Sequence, residues 1–185
     1  MHGPESSGWL LVALCAGTGA YCLVRMRSRI EEQRRTAGGE ALMGFGMAAM
    51  AVPAAVTAPP RWAWALYTVV FGAAAVRALW ALRAARAARG GGHHLHHMVG
   101  ACAMVYMAAV MAGGTHSGVP VLTGALLVYF TAYVLRTGAR LVPVAAATVA
   151  PAGGGRPPGW GDRAELAGAC RLSMGMGMLA MLLTM

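Results

Sequence analysis

From Ser6 to Val24, and again from Ala41 to Pro60, no charged side chain interrupts the chain. Each run approaches the roughly 20 residues that an α-helix needs to cross the hydrocarbon of a bilayer. A third run, Trp62 to Leu82, is broken only by Arg77. Met98 to Ala112 and Val119 to Leu135 follow, separated by GGTHSG, a segment too polar and too rich in glycine to continue a helix. A last apolar run reaches from about Leu166 to Met185. The chain has 185 residues, 58% of them hydrophobic and 11% charged, with a mean hydropathy of +0.57, so it has too few charges to clothe a soluble globule. The expectation is an all-α, six-helix transmembrane bundle forming one integral membrane domain over residues 1–185, with spans near 8–24, 41–58, 62–82, 98–112, 119–135 and 166–185.

The connections carry the charge. There is no lysine, and arginine gathers in Arg25–Glu40, Arg83–His97 and Arg136–Arg163, whereas the alternate connections carry only Arg61. Basic loops stay on the cytoplasmic side, which places both termini outside a cell membrane crossed six times. Arg77 is expected to snorkel along the third span to the cytoplasmic surface. The net charge of +9 then answers to an anionic leaflet, and the lipid bilayer, not nucleic acid, is the expected partner. The amino terminus lacks the basic region of a secretory signal, so the first run reads as a retained helix. Residues 136–161 contain Pro143 and PAGGGRPPG and read as a flexible cytoplasmic loop, Gly90–Gly92 as a helix breaker, and Asp162-x-x-Glu165 as a capping box for the last span.

Within this frame one spaced pattern recurs: Glu40-x-x-Met43-x-x-x-Met47-x-x-Met50, His97-x-x-Gly100-x-x-x-Met104-x-x-Met107 and Arg171-x-x-Met174-x-x-x-Met178-x-x-Met181. Offsets of three, seven and ten fall on one face of a helix, so each segment presents a polar head and a methionine ladder. The three repeat helices are separated by even numbers of crossings and are expected to run parallel, with Met47, Met104 and Met178 in one layer and Met50, Met107 and Met181 in the next. Charges inside a membrane cost about 3 kcal/mol or more unless paired. A Glu40–Arg171 ion pair with His97 beside it lowers that cost. Gly44, Gly46, Gly175 and Gly177 would let helices approach closely. Cys15, Cys22, Cys102 and Cys170 show no CxxC spacing and read as small buried thiols.

The segments MGFGMAAM, HHLHHMVGACAMVYM and ACRLSMGMGMLAMLL together resemble an actinobacterial family of multi-pass integral membrane proteins catalogued as a domain of unknown function. The resemblance implies a membrane location and these methionine motifs, and no activity. Family members often carry histidine at the head of a ladder; here only His97 stands there, with Glu40 and Arg171 at the other two heads.

Thioether sulfur is a soft, neutral donor that selects Cu(I), and imidazole suits copper in either state. Copper handling through Met43, Met47, Met50, Met104, Met107, Met174, Met178, Met181 and His97 is therefore the functional expectation. His93, His94 and His96 would sit at the cytoplasmic mouth, and Met111 and His116 toward the exterior. Haem would draw axial ligands from His97 or His116 with a methionine. Against these stands plain packing, because methionine fills irregular gaps, and with it the reading as a non-catalytic structural or assembly subunit with membrane protein partners. No nucleophile elbow, Walker loop or HExxH argues for an enzyme.

Overall fold

A computed structural model of the protein describes residues 4–28, 30–52, 56, 59–87, 92–113, 118–147 and 163–184. They form α1 (Pro4–Arg25), α2 (Glu31–Met50), α3 (Arg61–Ala87), α4 (Gly92–Ala112), α5 (Pro120–Ala147) and α6 (Ala164–Leu183). Five of these hold a stretch long and apolar enough to cross a membrane: Gly8–Arg25, Trp62–Ala84, Leu95–Ala112, Pro120–Arg140 and Glu165–Leu183. The chain is a multi-pass membrane protein. Large apolar side chains on α3 and α5, among them Leu66, Val69, Val128 and Leu135, lie exposed as a lipid-facing surface requires.

The second helix departs from expectation. In place of an apolar span over 41–58, α2 begins at Glu31, takes in Arg34, Arg35 and Glu40, and ends at Met50, so it is not among the five apolar stretches. Its early end has a local cause, since Pro53 disfavours helical backbone at Val52. Two further boundaries also move. α5 continues through Arg136, Arg140 and Pro143 to Ala147, where a loop was expected. α6 begins at Ala164 with extended Arg163 as its N-cap and no side-chain cap, so the capping box at Asp162 is not how this helix starts. The GGTHSG turn with His116, the glycines Gly90 and Gly91, the PAGGGRPPG stretch, Asp162 and the side chains of His93 and His94 lie outside the described residues.

The chain forms two compact units, Met1–Ala51 with Gly124–Thr184, and Val52–Thr123. In the first, α1 and α2 lie antiparallel, with Cys22 and Arg25 reaching Glu40 while Cys15 and Gly19 meet Gly44. Their backbones touch. A Cβ on Gly44 would stand 2.9 Å from the Gly19 Cα and 3.1 Å from the Cys15 carbonyl oxygen, so only glycine permits this approach. The Phe45 ring then covers Gly19 at 3.2 Å from where a Cβ would be. On α6, a Cβ at Gly175 would stand 2.8 Å from the Cγ2 of the Val134 side chain on α5.

The second unit is built on α3 and α4 packed side by side. Its buried side chains include Phe71, Leu82, Met104 and Met107, and Tyr67 stacks on Phe71 with ring centroids 6.2 Å apart. The Tyr106 hydroxyl donates to the Val119 carbonyl and shares a 2.8 Å hydrogen bond with Thr123, closing the turn that follows α4. Gly118 leaves room for that hydroxyl.

Candidate functional site

Glu40 stands on α2, where the helix passes between α1 and α6, and is 2% exposed. A carboxylate so buried needs donors on both oxygens. Arg25 at the end of α1 forms an ion pair with Oε2, and Arg171 of α6 donates from Nε to Oε1 at 2.9 Å. The Cys22 thiol also points at Oε2, 3.7 Å away. Arg25 is fully buried, and its Nε and Nη2 have no hydrogen-bond partner among the described residues. Arg171 is 29% exposed. Two guanidinium charges therefore face one carboxylate.

Two thiols complete this end of the bundle. Cys22 of α1 and Cys170 of α6 both lie within electrostatic reach of Arg25 and Glu40. Arg171 reaches Cys170 as well, and Tyr133 of α5 stands near both Arg171 and Glu40. Cys170 also lines a cleft of about 290 Å³ between α1 and α6, with Thr18, Tyr21, Leu166, Ala169 and Ser173 around it.

Further along the same helices the polar groups give way to sulfur. Met43 and Met47 of α2 and Met174, Met178 and Met181 of α6 are buried, Met47 and Met178 almost completely, and Met50 is half-buried. Off the ladder, Met176 on α6 is 45% exposed, and Met26 and Met111 are exposed too. At Gly177 the face closes up. A Cβ there would lie 3.3 Å from Cys15 Sγ and 3.7 Å from Met47 Sδ, so a thiol and a thioether converge on the gap that the glycine leaves. α2 and α6 thus meet at Glu40 with Arg171 and again at Met47 with Gly177.

The remaining sulfur candidates, Met104 and Met107, are buried on α4 in the second unit. His97 is half-buried on the same helix with the His96 ring 6.2 Å from its own. The polar partner that sequence reasoning left out is Arg25. It looked like one basic loop residue among five, and no spacing singles it out. Among the described residues no group of three or more His, Cys, Asp or Glu side chains is placed to hold a metal ion. What the site offers is buried charge and soft sulfur.

No curated protein and no solved structure gives a significant match to the chain. One family profile, that of the domain of unknown function DUF5134, matches residues 32–185, from the first turn of α2 to the end of α6 and beyond. With most of its length covered by that match, the chain belongs to the DUF5134 family.

Proposed function

We propose that this membrane protein holds a soft monovalent metal ion, Cu(I) above all, inside its helix bundle through sulfur side chains. The observation that carries the reading is the convergence of Cys15 Sγ and Met47 Sδ on Gly177, in a core where Met43, Met47, Met174, Met178 and Met181 are buried while Met176, off the ladder on the same helix, is not. Methionine used only to fill space has no reason to bring its sulfur toward a thiol beside a glycine gap. Thioether and thiol donors favour Cu(I) over zinc or magnesium, which prefer nitrogen, oxygen or several thiolates in a closed shell.

The cell membrane is its proposed place, with both termini outside if α2 crosses together with α1. The antiparallel packing of α2 on an apolar α1 supports that crossing, since the charged Glu40 reaches its partners at the α1 terminus and the residues after it descend along the apolar helix.

The test is metal retention. Purified protein in detergent is loaded with Ag(I), a redox-inert stand-in for Cu(I), then desalted and analysed for silver, zinc and magnesium. Stoichiometric silver without the divalent ions is the expected result. Folded protein that retains no silver overturns the reading and leaves a non-catalytic structural subunit.

A further inference from the structure

We propose that the cleft between α1 and α6 binds an anionic phospholipid, with the phosphate held at Arg163 and an acyl chain lying along the cleft. This goes beyond the soft-metal reading above and does not depend on it.

The shape comes first. Thr18 and Tyr21 of α1 and Leu166, Ala169, Cys170 and Ser173 of α6 line a volume of about 290 Å³ whose walls are almost wholly apolar. The Thr18 hydroxyl is turned back on its own helix, donating to the Leu14 carbonyl. From Leu166 to Ser173 the cleft follows α6 for roughly 10 Å, at about 1.5 Å per residue. Such walls offer water few partners and suit a stretch of hydrocarbon chain.

Charge is the second observation. Arg163 directly precedes α6 as its extended N-cap. Arg163, Leu166, Cys170 and Ser173 stand at offsets of three, seven and ten, so the arginine heads the ridge that lines the cleft. On α1 the cleft residues Thr18 and Tyr21 continue at the same spacing to Arg25. Tyr21 lies within electrostatic reach of both Arg163 and Arg25, which places positive charge at that end of the cleft. Arg25 is buried against Glu40 and contributes charge rather than contact, because Arg25 and Arg171 together outnumber that carboxylate. Glu165 is two residues from Arg163, and side chains so spaced do not face each other along a helix. A phosphodiester, with one negative charge and paired oxygens, complements a guanidinium in this setting. A zwitterionic headgroup would bring a positive charge of its own toward the arginines.

Depth is the third. One apolar stretch, Gly8–Arg25, ends at Arg25, and another, Glu165–Leu183, begins two residues after Arg163. The arginines therefore lie at the level of lipid headgroups, while Thr18 and Ser173 lie further in, at the level of the chains. A soluble anion would satisfy the arginines and leave the apolar walls unmatched. A phospholipid matches both ends of the cleft at once.

The test uses the full chain in a neutral detergent, with dioleoylphosphatidylglycerol or dioleoylphosphatidylcholine added and alkylation by N-ethylmaleimide followed residue by residue. Cys170 stands in the cleft wall and reports its occupancy, and the exposed Cys102 on α4 is the reference. Phosphatidylglycerol should slow Cys170 severalfold relative to Cys102, phosphatidylcholine should not, and Arg163→Gln should lose most of the protection. Equal protection by the two lipids, no protection by either, or full protection in Arg163→Gln would overturn the site. Inorganic phosphate protecting Cys170 without lipid would assign the arginines to a soluble anion and overturn it as well. Native mass spectrometry of the same samples needs no thiol chemistry: phosphatidylglycerol should stay bound to the unsubstituted chain and be lost from Ala169→Phe, whose ring would occupy the cleft. Undiminished retention in that variant would place the lipid elsewhere and reject the cleft.

Discussion

Arg171 Nε and Glu40 Oε1, 131 positions apart in sequence, lie 2.9 Å apart across α6 and α2. Glu40 is also paired with Arg25 from a third helix, so one carboxylate ties α1, α2 and α6 together. The two arginines are not equivalent, because Arg171 has a route to solvent and Arg25 has none.

Removing Glu40 should therefore harm the fold more than removing Arg171. Breaking a buried pair costs about 3 to 5 kcal/mol when it strands an uncompensated charge. Glu40→Ala strands Arg25, whereas Arg171→Ala leaves Glu40 with Arg25. Thermal stability in detergent should rank the wild type above Arg171→Ala and Arg171→Ala above Glu40→Ala, with Glu40→Ala partly rescued by Arg25→Leu. Equal losses in the two single variants would show that Arg25 does not depend on Glu40.

The glycines separate by what they touch. Gly44→Ala puts a methyl group against the Gly19 backbone, which cannot turn aside, and should push α1 and α2 apart. Gly72→Ala meets nothing within 4 Å, and alanine is favoured over glycine in a helix by up to about 1 kcal/mol in soluble hosts. The measurable outcome is a clear loss of melting temperature for the first and none for the second.

Met178→Leu keeps apolar volume and should cost less than about 1.5 kcal/mol. Met178→Ala opens a cavity in the core and should cost about 2 to 5 kcal/mol. Met176→Ala, on the outward side of the same helix, should change stability far less than Met178→Ala. Similar losses at 176 and 178 would contradict the burial that distinguishes them.

Glu31 in the first turn of α2 accepts from Arg35 and from Arg34, and these hydrogen bonds, Arg35 first, hold its carboxyl below the ordinary value of 4.5. The contribution is present above that value and fades as pH falls through the lowered one. Because the group is fully exposed, the effect should be small and screened by salt. Glu31→Gln should remove this part of the acid sensitivity, and an identical pH profile in the variant would show that the pairs contribute nothing.

Topology is open to a direct check. If α2 crosses with α1, a reporter active only outside the cytoplasm should work at both ends of the chain. Activity at one end alone would mean that only the five apolar helices cross.

Hydropathy alone made the helical membrane architecture legible, because long uncharged runs such as Ser6–Val24 allow few other structures. It failed where composition and structure part company. α2 joins a first half with five charged residues to an apolar second half, so the uncharged run begins ten positions after the helix does, at Ala41 in place of Glu31. Glu40 and Arg171 drew notice because each is a charge at the head of an apolar ladder. Arg25 did not, since its partner is chosen by the way α1 and α2 come together and by no spacing along the chain.

The family match begins at Glu32, inside α2, yet Cys15, Cys22 and Arg25 all belong to α1. The centre is thus jointly owned: the matched segment contributes the carboxylate, Arg171 and the methionines of α2 and α6, and the preceding helix contributes the buried Arg25 and the thiols of Cys15 and Cys22. Inheriting the shared segment would transmit only half of such a centre.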